Sequence, residues 1–448
     1  MFQKLSPALK VAISFLGVIS IGSLLLKLPF ALERGAALSW INSFFVATSA
    51  TCVTGLSPIN ISSTFSYFGE AVILLLMQIG GTGVMVLSSY FYLSLGRNVS
   101  MRQKMHLQET FAGDYDVNWR TLVRAVVHYV LVIEGVCALI LALLFLPHHS
   151  VAESIYYGIF HSVSAFCNAG LALFSNSFVS FKSNTAINVV MMFLIVSGGM
   201  GFFVMWEVKE WFKHRKSRFR ISLHTKVVLL TSLFLIAGGA VAIWLLEMNN
   251  PEMGSTYIGR FLPAFFQSVT CRTAGFNSVD FSFLGNDTVL LMMFLMFIGA
   301  SPGSCGGGIK TTTTAVIVAL FWSRLRGRSK TNIFKRTLSA DLIGRSLGIA
   351  VAAALILIVG NVLLMMTDIS HGHYERGRFV EFLFESISAL GTVGLSLGVT
   401  AKLSGVGKTV IMLLMFFGRV GVMAMFLQAV SSQKDTSIEY AGEGVMIG

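Results

Sequence analysis

Four short stretches of this 448-residue chain share a pattern whose chemistry would come from the backbone rather than from side chains. They are Cys52-Val53-Thr54-Gly55, Cys167-Asn168-Ala169-Gly170, Arg272-Thr273-Ala274-Gly275 and Gly391-Thr392-Val393-Gly394, each followed by Leu or Phe. An ion entering a narrow passage sheds water, and oxygens at comparable distance must replace it. Extended loops offer such oxygens as carbonyls, with glycine allowing backbone angles that a Cβ forbids. The carbonyls of Thr54, Gly55, Ala169, Gly170, Ala274, Gly275, Val393 and Gly394 are the expected ligands. Uncharged carbonyl rings suit a monovalent cation, since Ca²⁺ would call for carboxylates. One Gly loop is weak evidence, whereas four at matching positions form a specific signal.

Each loop follows an apolar run, Ile41 to Ser49, Ser154 to Ala165, Phe261 to Thr270 and Phe379 to Ala389, shorter than the ~20 residues of a spanning helix. Such runs read as re-entrant half-helices, which are tolerated at membrane depth where they are buried in protein or line water. Their dipoles would aim negative ends at the ion path. The glycines recur at intervals on the order of a hundred residues, which points to repeated units. Each unit reads as long helix, half-helix, loop and second long segment, giving an all-α membrane protein of eight spans and four half-spans around a central pore. The units are 1–116, 117–218, 219–338 and 339–448. First helices are expected at Leu9 to Leu28, Leu122 to Leu146, Thr225 to Met248 and Ile343 to Met366. Second segments are expected at Phe68 to Leu95, Thr185 to Phe212, Thr288 to Trp322 and Lys408 to Val430. Two spans per unit return the chain to one side, so the units relate by an axis along the membrane normal.

Beyond each loop lies a second glycine cluster, Gly80-Gly81-Thr82-Gly83, Gly198-Gly199-Met200-Gly201 and Gly418-Arg419-Val420-Gly421 among them. Glycine in a membrane helix often serves close packing. The third cluster, Gly299-Ala300-Ser301-Pro302-Gly303-Ser304-Cys305-Gly306-Gly307-Gly308, is too rich in proline and glycine for a continuous helix and reads as an unwound segment within 299–314. Arg419 interrupts an apolar run, and a lone cation there costs at least ~2.5 kcal/mol unless it meets a polar cavity or partner. It should face inward as a movable barrier; Lys310 either faces the same path or snorkels toward the cytoplasmic interface, and Thr311 to Thr314 are candidates to line the path. His161, Gln267 and Glu385 are expected to brace the loops, and an Arg272–Glu385 pair is the sharper version. Glu134 is read as a helix-packing partner.

The composition, 54% apolar and 12% charged, makes lipid the main solvent. The net charge of +12 is not a nucleic-acid signal, because basic residues cluster between apolar segments, as in 209–226 and 324–345. That is the positive-inside pattern and puts both termini in the cytoplasm. The first apolar run, Val11 to Leu26, lacks a convincing cleavage site and is expected to stay as a spanning helix. Five cysteines without C-x-x-C spacing read as small hydrophobes. An enzyme would need a cluster of catalytic side chains at one depth, but the nine histidines are scattered, and G-x-x-x-x-G-K-[ST] is absent. An alternating-access carrier of organic solutes would suit broken helices but calls for charged ligands in a bulky pocket.

With "VTGL", "NAGL", "RTAGFN", "GTVGL", "GGGIKTTT" and "FGRVG" in place, nearly the whole chain resembles the Trk/Ktr/HKT superfamily of potassium transporters, most of all the bacterial Ktr-type membrane subunits (KtrB/KtrD type). The resemblance implies a K⁺ pathway with Na⁺ as a second candidate ion and no covalent cofactor. It also implies a homodimer in the plasma membrane and a cytosolic RCK-type ring binding ATP or ADP. The segment from Gly299 to Gly308 would be an intramembrane gate, opposed by the arginine that matches Arg419. Glycine in all four loops fits K⁺-conducting members. The chain departs from the family at Cys52, Leu171 and Cys271, where threonine, phenylalanine and proline are common.

Overall fold

The computed structural model describes residues 7–83, 119–213, 220–368 and 377–421. Among them, four helices are long and apolar enough to cross a membrane: α1 (Pro7–Leu26), α4 (Trp119–Phe145), α8 (Leu223–Leu246) and α12 (Ala340–Asp368). Many of their large side chains are exposed, including Leu24, Leu139, Phe234 and Leu355. A surface of that kind is compatible with acyl chains as solvent. Four shorter helices follow them in turn: α2 (Trp40–Cys52), α5 (Val151–Phe166), α9 (Phe261–Thr270) and α13 (Gly377–Gly391). Serine supplies two of their starts. Ser39 accepts from the amide of Asn42, and Ser150 forms a reciprocal capping box with Glu153.

Burial explains why short helices can sit deep. In α2 the run from Phe45 to Cys52 is buried, as is Phe160 to Phe166 in α5, so the C-terminal halves lie wholly in protein. Phe45, Phe160, Phe266 and Phe384 are fully buried at similar depths on the four short helices. Each such side chain contributes on the order of 1.5–3 kcal/mol when removed from water.

The other helices of more than four residues among the described residues are α3 (Tyr67–Thr82), α6 (Thr185–Gly199), α7 (Phe202–Lys213), α10 (Asn286–Phe297), α11 (Thr311–Leu325) and α14 (Gly405–Val420). Polar groups fasten their outer ends: Asp368 accepts from the amide of Ser404 at 2.6 Å, and Glu247 from that of Gly285 at 2.9 Å. One correction follows. The segment from Thr185 to Phe212, expected as one run, is broken between α6 and α7 with a bend of 101°. Asn332–Ile333 (β1) and Arg336–Thr337 (β2) pair as a small antiparallel hairpin in an otherwise helical fold. The third glycine cluster does interrupt its helix, since α10 ends at Phe297 and α11 begins at Thr311. Residues 84–95 and 422–430 of the expected second segments lie outside the described residues.

Candidate functional site

Each short helix ends in a loop of the same backbone form. Val53, Asn168, Thr273 and Thr392 have φ of 58°, 58°, 64° and 50°, and the glycines two residues on, Gly55, Gly170, Gly275 and Gly394, have 103°, 67°, 79° and 91°. The intervening Thr54, Ala169, Ala274 and Val393 keep negative φ. Alternating handedness turns successive carbonyls toward one side of the chain. Three of the four left-handed residues before the glycines are β-branched, an outlier that persists only where surroundings enforce it.

The amides turn the other way. Those of Thr54, Ala169 and Val393 donate to the carbonyls of Ser49, Ser164 and Ser388 at 2.7–2.8 Å, and that of Ala274 donates to Thr270 at 3.0 Å. The hydroxyls of Ser49 and Ser388 accept from the amides of Gly55 and Gly394, both at 3.0 Å. In the third loop Val269 stands where the others have serine, and the chain closes one residue earlier. Among the described residues, no hydrogen bond reaches the carbonyls of Thr54, Gly55, Ala169, Gly170, Ala274, Gly275, Val393 or Gly394. Eight carbonyls in one place without a protein partner are free to accept from water or to coordinate a cation.

The loops form a closed circuit. A Cβ on Gly55 would lie 2.7 Å from the carbonyl oxygen of Ala169, one on Gly170 2.8 Å from that of Ala274, and one on Gly275 2.6 Å from that of Val393. A Cβ on Gly394 would collide with the carbonyl of Thr54, which completes the circle. Asn168 ties the second loop to the third, donating to the Arg272 carbonyl and the Thr273 hydroxyl, both at 3.2 Å. Outside the circle opens a cavity of about 430 Å³ whose walls include all four glycines with Asn60, Asn176 and Ser396. None of its lining side chains is charged.

Braces run from the short helices to the segments that leave the loops. The Nε2 of His161 accepts from the amide of Leu173 at 3.2 Å, and its Nδ1 donates to the carbonyl of Tyr157 at 2.8 Å. The amide of Gln267 donates to the hydroxyl of Ser278 at 3.3 Å, while Glu385 accepts from Ser396 at 2.8 Å and from Thr400. Glu385 therefore serves the fourth loop, and no ion pair joins it to Arg272 among the described residues. Glu134 is buried on α4, where the Cys167 thiol approaches it at 3.8 Å.

The unwound segment lies on the other side of the circle. The amide of Gly307 donates to the hydroxyl of Thr392 at 3.0 Å, and Gly306 sits against the Thr273 hydroxyl. The amides of Ser301 and Cys305 donate to the carbonyls of Gly199 and Gly198 at 3.1 and 3.0 Å, and that of Gly308 to Gly418 at 3.3 Å. The carbonyl of Gly303 accepts from Phe202 at 2.9 Å. Ser304 closes a turn on the carbonyl of Ser301 at 2.6 Å, leaving Pro302 at its bend. Lys310 donates to the carbonyl of Gly306 at 2.8 Å, and the buried Ala300 donates its amide to the carbonyl of Gly307 at 3.2 Å. Arg419 bridges the carbonyls of Cys305 and Gly80, which links the segment to the end of α3. Cys52 and Cys167 are buried free thiols, and Gly391 forms the last residue of α13. The serine six residues before three of the glycines recurs in the sequence, but its role as a cap of the loop amides is a matter of geometry. The left-handed residues carried no signal, because Val and Thr are unfavourable there.

The profile of the TrkH family, described as a cation transport protein, matches residues 6–440. The chain is 38% identical over 440 residues to Ktr system potassium uptake protein B of Vibrio alginolyticus, covering 98% of this chain and 94% of that one. It is 35% identical to the protein of the same name from Bacillus subtilis, covering 99% and 97%, and 32% identical to the potassium/sodium uptake protein NtpJ of Enterococcus hirae, covering 100% and 98%. The crystal structure of the potassium transporter TrkH from Vibrio parahaemolyticus superposes with a TM-score of 0.72 at 20% identity, covering 95% of this chain and 85% of that one, so the fold is shared. The chain is thus a multi-pass membrane protein and, rather than an enzyme, a member of the TrkH family of cation transport proteins.

Proposed function

We propose that this protein carries K⁺ into the cell across the plasma membrane, down its electrochemical gradient, through rings of carbonyls from the four loops. The observation that carries the reading is the closed circuit of loops whose eight carbonyls have no partner among the described residues. Two neutral rings of four carbonyls, one from each loop, replace hydration water without the field of carboxylates, and this favours a monovalent cation over Ca²⁺. The names of the similar Ktr and NtpJ proteins support K⁺ as cargo and keep Na⁺ as a second ion.

The chain is arranged as four related units with eight spans, both termini facing the cytoplasm. The segment from Gly299 to Gly308 is the gate. It crosses the path directly beyond the loops, and the cations of Lys310 and Arg419, hydrogen-bonded to its carbonyls, resist passage of K⁺ until it moves. The protein works as a homodimer on a cytosolic RCK-type ring binding ATP or ADP, which supplies the free energy to displace the segment. The test is ⁸⁶Rb⁺ uptake into liposomes holding the purified chain, first alone and then with such a ring. Uptake competed by K⁺ and raised by the ring is expected, and a chain that moves no Rb⁺ in either state contradicts the reading.

A further inference from the structure

A second cavity, about 510 Å³, lies away from the loops, in the cleft between α8 and α11. Its walls are single helix faces: Leu230 and Phe234 on α8, Val318 and Trp322 on α11, with Phe294 from α10. All five are at least half exposed, so this cleft faces outward at the depth of the apolar helices. At the end of α11 the character changes. Arg326 and Arg328 complete the lining, and no Asp or Glu belongs to it. The Arg326 guanidinium lies 4.9 Å over the Trp322 ring, and Arg328 has no acidic partner among the described residues.

The β1–β2 hairpin bounds the same mouth. Its two-residue turn is Phe334-Lys335, with φ of 49° and 62°, a form that normally calls for Asn-Gly. The turn brings the Phe334 side chain into the lining. A bulky aromatic held in a left-handed angle beside two arginines is an unusual construction for a plain cytosolic connection.

We propose that this cleft is a binding site for an anionic phospholipid, with an acyl chain along Phe234 and Val318 and the phosphate at Arg326 and Arg328. A purely apolar occupant would leave two cations at the mouth without a counter-charge, and a free phosphate would leave the apolar length unfilled. A phospholipid of negative headgroup satisfies both ends, and basic residues at a membrane surface attract such lipids. The site's floor reaches Ile298, the residue that precedes the unwound segment.

The experiment uses the full chain in phosphatidylcholine vesicles doped with bromine-labelled lipid, which quenches tryptophan fluorescence on contact. Brominated phosphatidylglycerol should quench a component of the six tryptophans that brominated phosphatidylcholine reaches with about tenfold weaker affinity. Trp322→Phe should remove that component, and Arg328→Gln should abolish most of the preference while leaving the fold intact at an exposed position. Equal quenching by the two lipids would overturn the proposal, as would an excess that survives Trp322→Phe. Shielding of Trp322 from both lipids would also overturn it, and would mark the face as an interface with a second copy.

Discussion

Glycine at position 275 has a left-handed angle, and a Cβ there would come within 2.6 Å of the Val393 carbonyl and 2.9 Å of Gly170 Cα. Gly275→Ser should therefore lower K⁺-dependent Rb⁺ uptake by more than tenfold while membrane expression stays within about twofold, as read by flux and immunoblot. Thr392→Val keeps shape and removes the hydroxyl that accepts from Gly307. A lost hydrogen bond of this kind costs about 1 kcal/mol, so the melting midpoint should fall by only about a degree while the unwound segment loosens, giving higher flux without a regulator. Arg419 offers a cleaner division of roles. Arg419→Ala should raise flux. Arg419→Lys keeps the charge but not the fork that spans Cys305 and Gly80, so it separates a charge barrier from a clamp. Flux that rises in both variants identifies the clamp; flux that rises in the alanine variant alone identifies the charge. At this scale the sequence disclosed Arg419 and the four glycines, because a cation in an apolar run and a repeated glycine are visible without coordinates. It did not disclose the partners of Glu385, which are hydroxyls on its own loop rather than Arg272.

Helices here end where another backbone replaces their partners. The short helices were legible to within a few residues from their length, and the break after Phe297 from proline and glycine density. The break between α6 and α7 was not, because Gly198-Gly199-Met200-Gly201 looks like a packing surface. The carbonyls of Gly198 and Gly199 are taken by amides from a segment about a hundred residues away, and Gly201 turns with φ of 96°. Packing is still part of the explanation. A Cβ on Gly198 would collide with the carbonyl of Phe166, one on Gly80 with Thr51 and one on Gly418 with Leu390, each four residues before its loop glycine. Gly198→Ala must therefore push α6 off the tip of α5. Overpacking of this sort costs ~1–3 kcal/mol, and the expected outcome is a lower melting midpoint in detergent with reduced monodisperse yield by size-exclusion chromatography.

The molecule as a whole is a ring of loops held from behind by short helices and closed on the other side by a segment borrowed from a broken helix. Recurrence along the chain pointed to loops around one pore, but it does not fix which loop meets which; the cyclic order, first to second to third to fourth and back, comes from the structure. That circuit is what distinguishes one ring of four loops from four unrelated turns. The most direct measurement is anomalous diffraction from crystals soaked in Rb⁺. Peaks on the axis framed by Gly55, Gly170, Gly275 and Gly394, within ligand distance of carbonyls from all four loops, are the predicted result. Rb⁺ bound only elsewhere, with the axis empty at saturating ion, would contradict it.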